Sequence, residues 1–180
     1  MGMMFSTFCW HVEDLWVNSL NYSHQGATKT WYIIPKRDKE KFDQFVQKKT
    51  GRTDLLNRIT FMLDPIEIIN EGITVYKANQ RPGQYICTFF KVSFSLIKAY
   101  HAGFSHGFNV GEAVNFISPK SLQHIQDAEN YMAENSGKPS VLPYEWLIYN
   151  NRNNFYGEFN SLVTHTFEVD EKRVLENHKK

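Results

Sequence analysis

The chain is poor in cysteine: of its 180 residues only Cys9 and Cys87 carry a thiol, and no Cys-x-x-Cys pair occurs. That argues against both a disulfide framework and a structural zinc knuckle, and two isolated thiols fit a reducing compartment. No apolar run approaches the roughly 20 residues that span a bilayer as a helix. Met1–Phe5 also lacks the basic stretch and long apolar segment of a secretion signal. An excess of one charge is missing too: 20 Lys and Arg face 19 Asp and Glu, a net charge of +1. Binding nucleic acid by phosphate neutralisation alone needs a concentrated basic field, so no direct nucleic-acid site is expected. Repeats and low-complexity tracts are absent. What is present is 42% hydrophobic and 15% aromatic residues, enough for one packed core and too much for a disordered chain. The expectation is a soluble intracellular domain.

Hydrophobic periodicity divides the chain. Phe8–Glu13, Ser19–His24 and Lys29–Ile34 are short segments rich in aromatic and β-branched residues, interrupted by Gly26 and closed by Pro35; they are predicted strands. After Pro35 the period lengthens, and Asp38–Lys48 is predicted to be an amphipathic helix, with Leu55–Met62 a shorter one. Strand character returns at Ile73–Ala78 and Gln84–Phe90 around a Pro82-Gly83 turn, then at Ala99–Phe104 and Ala113–Ile117. Helices are predicted at Ser121–Ala133 and Tyr144–Tyr149, followed by a polar loop at Asn150–Asn154 and a charged, frayed end at Asp170–Lys180. The fold class is therefore mostly β with helices (α+β), a β-rich core with helices packed outside it.

His11-Val12-Glu13 is the most informative tripeptide. On a strand, side chains at i and i+2 share a face, so His11 and Glu13 would present an imidazole and a carboxylate side by side. A second histidine from a distant strand would complete a two-His, one-carboxylate triad with open positions, the arrangement of non-haem Fe(II) oxygenases. His24, His101, His106, His124 and His165 are the candidates. His101 and His106 lie in a glycine-punctuated segment that permits close backbone approach to a ligand. His24 before a turn and His165 between threonines read as structural, and His124 as part of a solvated helix face. Lys29, two residues from Trp31, shares its face. A lysine among Trp31, Tyr32, Ile33 and Ile34 either carries its ammonium out to water or is neutralised by an anion.

These segments resemble a known family. Phe8-Cys9-Trp10-His11-Val12-Glu13-Asp14 and Asn21–Tyr32, with Tyr100-His101-Ala102-Gly103-Phe104 and Glu112-Ala113-Val114-Asn115-Phe116, are similar to the JmjC (Jumonji C) histone lysine demethylases. The wording is most like the JARID-type branch, associated with histone H3 lysine 4. The resemblance covers residues 3–117, which it implies to be the catalytic core, with 118–180 a C-terminal helical segment. It implies a double-stranded β-helix, or jelly roll. Its implied metal ligands are His11, Glu13 and His101, binding Fe(II). It further implies that Lys29 pairs with 2-oxoglutarate, that Asn21 and Ser19 add polar contacts, and that Phe8 and Trp31 wall the cosubstrate pocket. His106 falls on a motif position beside the metal rather than on it. Ser105 stands where many relatives carry Asn, which would alter a supporting hydrogen bond.

The chemistry so implied is hydroxylation of an N-methyl group on a histone H3 tail, with release of formaldehyde, in the nucleus and within chromatin complexes. A protein hydroxylase with a non-histone substrate and a non-catalytic chromatin scaffold are the alternatives. Two departures stand out. The chain starts almost at the metal motif, so N-terminal strands of the jelly roll are expected to be missing. In addition, Val92–Lys98 intervenes between Thr88-Phe89 and Ala99-Tyr100-His101, either as a lengthened loop or as a retained short intron.

Overall fold

The computed structural model describes residues 1–88, 99–117 and 124–136, all within one compact unit spanning Met1–Pro139. The intervening segment 92–98, the predicted helix at 144–149, the loop at 150–154, the charged end, His165 and His178 lie outside the described residues. Among the described residues seven strands run β1 Thr7–His11, β2 Asn18–Gly26, β3 Lys29–Ile34, β4 Tyr76–Gln80, β5 Tyr85–Thr88, β6 Tyr100–Ser105 and β7 Asn109–Phe116. They form a four-stranded sheet, β1-β6-β3-β4, and a three-stranded sheet, β5-β2-β7, with every pairing antiparallel. This mostly β, jelly-roll architecture agrees with the fold that the sequence resembles. Among the described residues no helix is long and apolar enough to cross a membrane.

Among the described residues three helices accompany the sheets. Helix α1, Lys39–Thr50, buries Phe42 and Val46 and stops at Gly51, whose left-handed φ of 70° is the glycine-favoured way to end a helix. Helix α2, Pro65–Asn70, was not foreseen, although its start carries two ordinary signals. Asp64 Oδ1 accepts a hydrogen bond from Ile66 N at 2.8 Å, and Pro65 opens the first turn. The helix expected over Leu55–Met62 is instead a single 3₁₀ turn, Leu56–Arg58, because Ile59 leaves it in a left-handed conformation at φ 56°. Helix α3, Ile125–Ser136, lies against a 3₁₀ turn at Asp14–Trp16, with the Trp16 and Tyr131 rings 5.8 Å apart.

The apolar core sits on the helical side of the four-stranded sheet. Trp10, Ile34, Tyr100 and Ala102 from the strands meet Phe42 and Val46 of α1 and Ile68 of α2. Trp10 is fully buried, and its indole N–H donates to the Leu63 carbonyl at 3.1 Å. The hydroxyl of Tyr100 donates to Asp43 at 2.7 Å, and Lys39 holds the other oxygen of that carboxylate. Burial and the Asp43 charge push the Tyr100 phenol far above its ordinary pKa, so it remains a donor. The opposite face of the same sheet carries polar side chains beside the aromatic rings of Phe8 and Trp31.

A candidate metal centre and its cavity

Alternation along β6 sends Tyr100 and Ala102 into the core, and His101, Gly103 and Ser105 the other way. β1 faces β6, and the ladder pairs Phe8 with Gly103 and His11 with His101. Three steps on β1 therefore match two on β6, a bulge that leaves one residue over. A regular strand would send Phe8 and His11 to opposite faces. The bulge brings both to the inner face, with their rings 6.4 Å apart, while Trp10 between them stays in the core.

Glu13 lies beyond β1 rather than within it. Strand pairing ends at His11, and Glu13 keeps extended backbone (φ −59°, ψ 142°) at the entry to the 3₁₀ turn. In that turn Leu15 and Trp16 both adopt φ 51°, a strained choice for large side chains, and both are buried. The turn carries the chain directly into β2. The sharing of one face by His11 and Glu13, read as strand alternation, is thus built by a strand end and a strained turn.

The result is a cluster in which one ligand atom each from His11, Glu13 and His101 lies within 4.8 Å of the others. The two imidazole rings are 4.2 Å apart, and His101 Nε2 is 3.4 Å from Glu13 Oε1. His11 Nδ1 sits 2.7 Å from the Cys9 carbonyl. A carbonyl only accepts, so Nδ1 carries the proton and Nε2 keeps its lone pair. His101 Nδ1 lies 3.4 Å from the carbonyl of Ala99. Asn115 donates to Glu13 Oε2 at 3.0 Å. Burial works against the charge of Glu13, but hydrogen bonds from His101, Ser19 and Asn115 outweigh it and hold the carboxyl at about 2. Burial, then the neighbouring His101, lowers the His11 pKa. Both shifts favour the forms that ligate a divalent ion, a carboxylate and a neutral imidazole. Among the described residues no second such cluster occurs.

Nearby, a cavity of about 270 Å³ is lined by Thr7, Phe8, Asn21, Lys29, Ser105 and Asn109, among others. Burial lowers the pKa of the Lys29 ammonium, which lies 5.9 Å from the Trp31 ring and has no carboxylate partner among the described residues. Asn21 Oδ1 is buried without a hydrogen-bond partner, and its amide can equally present its N–H groups after rotation. A half-buried cation and an orphaned amide on one cavity wall fit an anionic ligand that also donates or accepts hydrogen bonds.

Not every expected residue reaches this wall. The Ser19 hydroxyl is 2.6 Å from Thr88 Oγ1 and bonds to the Glu13 carboxylate, which places it beside the metal ligand. Trp31 stands behind Phe8, with ring centroids 4.5 Å apart. Of the other histidines, His106 bonds to Thr30 Oγ1 at 2.7 Å, His24 lies exposed 3.3 Å from Glu112, and His124 lies 3.8 Å from Asp127. Asn115 had no role assigned from sequence, although its place in Glu112–Phe116 beside β2 signalled one. Gly103 gave no such signal: a Cβ there would lie 2.5 Å from Phe8 Cζ and 2.1 Å from the Thr30 carbonyl, so its bareness makes room for Phe8.

Comparison with known proteins agrees with this geometry. The family model described as "JmjC domain, hydroxylase" matches residues 1–116. Over 128 residues, 64% of this chain, the sequence is 44% identical to Lysine-specific demethylase JMJ706 of Oryza sativa subsp. japonica, covering 14% of that protein. It is 40% identical to Lysine-specific demethylase 5B of Gallus gallus and 38% to Lysine-specific demethylase 5D of Pan troglodytes, each over 123 residues. Those matches cover 66% of this chain and 8% of each relative. The chain thus spans a small part, 8 to 14%, of the length of these relatives.

Proposed function

Because this chain belongs to the JmjC domain family, we propose that it is an Fe(II)- and 2-oxoglutarate-dependent oxygenase that demethylates methyl-lysine on histone tails. The observation that carries the reading is the convergence of His11, Glu13 and His101 within 4.8 Å, with His11 Nδ1 engaged by a carbonyl so that its Nε2 keeps a lone pair. In this reading those three side chains, two imidazoles and a carboxylate, would hold the metal. Bound there, Fe(II) with 2-oxoglutarate and dioxygen supplies the oxidising power that hydroxylates an N-methyl carbon, after which formaldehyde is lost. Lys29 pairs with a carboxylate of 2-oxoglutarate, and Asn21 completes its unsatisfied hydrogen bond to the same molecule. Phe8, backed by Trp31, keeps water from that pocket. Ser19 and Asn115 act on Glu13, orienting its carboxylate and keeping it charged.

Residues 3–117 form the catalytic core in this reading, and 118–180 a helical segment that packs on it or extends from it. The names of the three relatives, all lysine-specific demethylases, support removal of a methyl group from lysine; in this reading the substrate is a histone H3 tail, the partners are chromatin complexes and the location is the nucleus. The description of the matching family as a hydroxylase supports the second reading, oxidation of a different protein. The test is incubation of the chain with Fe(II), 2-oxoglutarate and methylated H3 peptides. Succinate and formaldehyde in equal amounts are expected. Peptide that gains one oxygen without releasing formaldehyde would establish hydroxylation in place of demethylation. No turnover of H3 peptides in a correctly metallated chain would leave the hydroxylase of a different protein and the non-catalytic scaffold.

A further inference from the structure

Gln80, at the end of β4, is 1% exposed and has every polar atom of its side chain engaged. Its Oε1 accepts from Trp31 Nε1 at 2.9 Å. Its Nε2 donates to the Asn21 carbonyl at 3.0 Å and to the Gln84 carbonyl at 3.1 Å. β4 and β3 belong to the four-stranded sheet and β2 to the three-stranded one, so this one amide ties the two sheets together. Two of the three residues it joins matter to the cavity. Asn21 is on its wall, and Trp31 is the ring against which Phe8, His101 and Lys29 all rest, at 4.5, 6.1 and 5.9 Å.

From this network we infer that Gln80 is a positioning residue for the cosubstrate: it locks the Trp31 indole and so sets the Lys29 ammonium and the Asn21 amide relative to the metal ligands. This rests on the functional reading above. The bond to the indole N–H has one alternative, an unpaired donor in a buried place, so its loss frees the ring to turn rather than merely weakening a contact. A ring that turns changes the spacing between Lys29 and His101 without touching the metal ligands themselves. The effect belongs to cosubstrate affinity, not to metal affinity.

The test uses Gln80→Met, which keeps the side-chain length, Trp31→Phe, which keeps an aromatic ring but no N–H, and the double variant, all in the full chain. Three quantities are read: Mn(II) binding, 2-oxoglutarate binding to the Mn(II)-loaded chain, and solvent exchange of the Trp31 indole proton. Each single variant is expected to weaken 2-oxoglutarate binding about tenfold, the equivalent of one buried hydrogen bond. The double variant is expected to be no weaker than the worse single one, and Mn(II) binding to stay within about twofold, inside the ordinary scatter of independent sites. Indole exchange is expected to become fast in Gln80→Met. Unchanged cosubstrate binding in Gln80→Met, or losses that multiply in the double variant, overturns the inference while leaving the oxygenase reading intact. A wild-type chain that binds Mn(II) but no 2-oxoglutarate overturns both. If Gln80→Met does not fold, Trp31→Phe decides alone: unchanged affinity sinks the role, and a tenfold loss with unchanged Mn(II) binding sustains it.

Discussion

Phe8 and His11 face the same cavity side of the four-stranded sheet although three positions separate them, because β1 carries one residue more than β6 over that stretch. The extra residue is what lets two positions three apart share a face while Trp10 stays in the core. Deleting Cys9 would restore a regular ladder in which Phe8 and His11 stand two positions apart, still on the inner face, with Trp10 between them in the core. The expected outcome is retained stoichiometric Mn(II) binding, read by calorimetry, with β-sheet circular dichroism unchanged. Loss of metal binding after the deletion would show that the bulge geometry itself, and not only the shared face, is needed.

Substitution of the ligands and of the cavity cation should separate cleanly. His11→Ala should abolish metal binding by elemental analysis, since two remaining side chains cannot define the site. Lys29→Ala should leave the metal in place and weaken 2-oxoglutarate binding about 10- to 100-fold, the range for one charge-assisted hydrogen bond. Equal cosubstrate affinity in Lys29→Ala and wild type would remove Lys29 from that role.

Gly103 is where the backbone must be bare. Gly103→Ala would put a methyl group 2.5 Å from Phe8 Cζ and 2.1 Å from the Thr30 carbonyl. Overpacking of this kind costs about 1–3 kcal/mol. Urea denaturation of the metal-free protein should show that loss, and the companion variant Gly103→Ala with Phe8→Ala should recover only part of it, because the Thr30 carbonyl still clashes.

Glu13 also makes the metal-free protein sensitive to acid. Its folded pKa is held at about 2 against an ordinary 4.5. The folded state therefore favours the carboxylate, and the stability this confers is complete above about 4.5 and is lost as pH falls toward about 2. Glu13→Gln should start less stable at neutral pH and lose less than wild type across that window. Parallel stability curves for the two proteins would contradict this.

Tyr100→Phe removes the hydroxyl that joins β6 to Asp43 of α1. The carboxylate keeps its Lys39 partner, so the expected cost is about 0.5–1.5 kcal/mol, one ordinary hydrogen bond. Thermal unfolding measures it. A larger loss accompanied by weaker metal binding would mean that this anchor also steers the adjoining His101.

Much of this was legible in the residues. Periodicity gave most strands, the His11-Val12-Glu13 pattern gave two residues of the cluster, and the family resemblance singled out His101 among the other histidines. Side-chain alternation alone failed at β1, since a bulge changes which residues share a face without changing composition. It also shifted one predicted strand: Ile73–Ala78 became Tyr76–Gln80, because Ile73 is taken by the helix-side core. Gln80 was invisible for a different reason. A glutamine among polar turn residues carries no mark of burial, and its importance comes from two carbonyls and an indole that meet only after both sheets have formed. Ser19 was assigned a polar contact with the cosubstrate by its position in the family resemblance. The structure instead turns Ser19 toward Thr88 and Glu13.

β6 divides its labour between two faces, with Tyr100 and Ala102 set against the helices and His101, Gly103 and Ser105 toward the cavity. A substitution scan along it would trace a sawtooth, melting temperature dipping at one position and ligand capture at the next. Between these neighbours, one peptide bond apart, a screen that scores only abundance and one that scores only turnover would each overlook half of the strand.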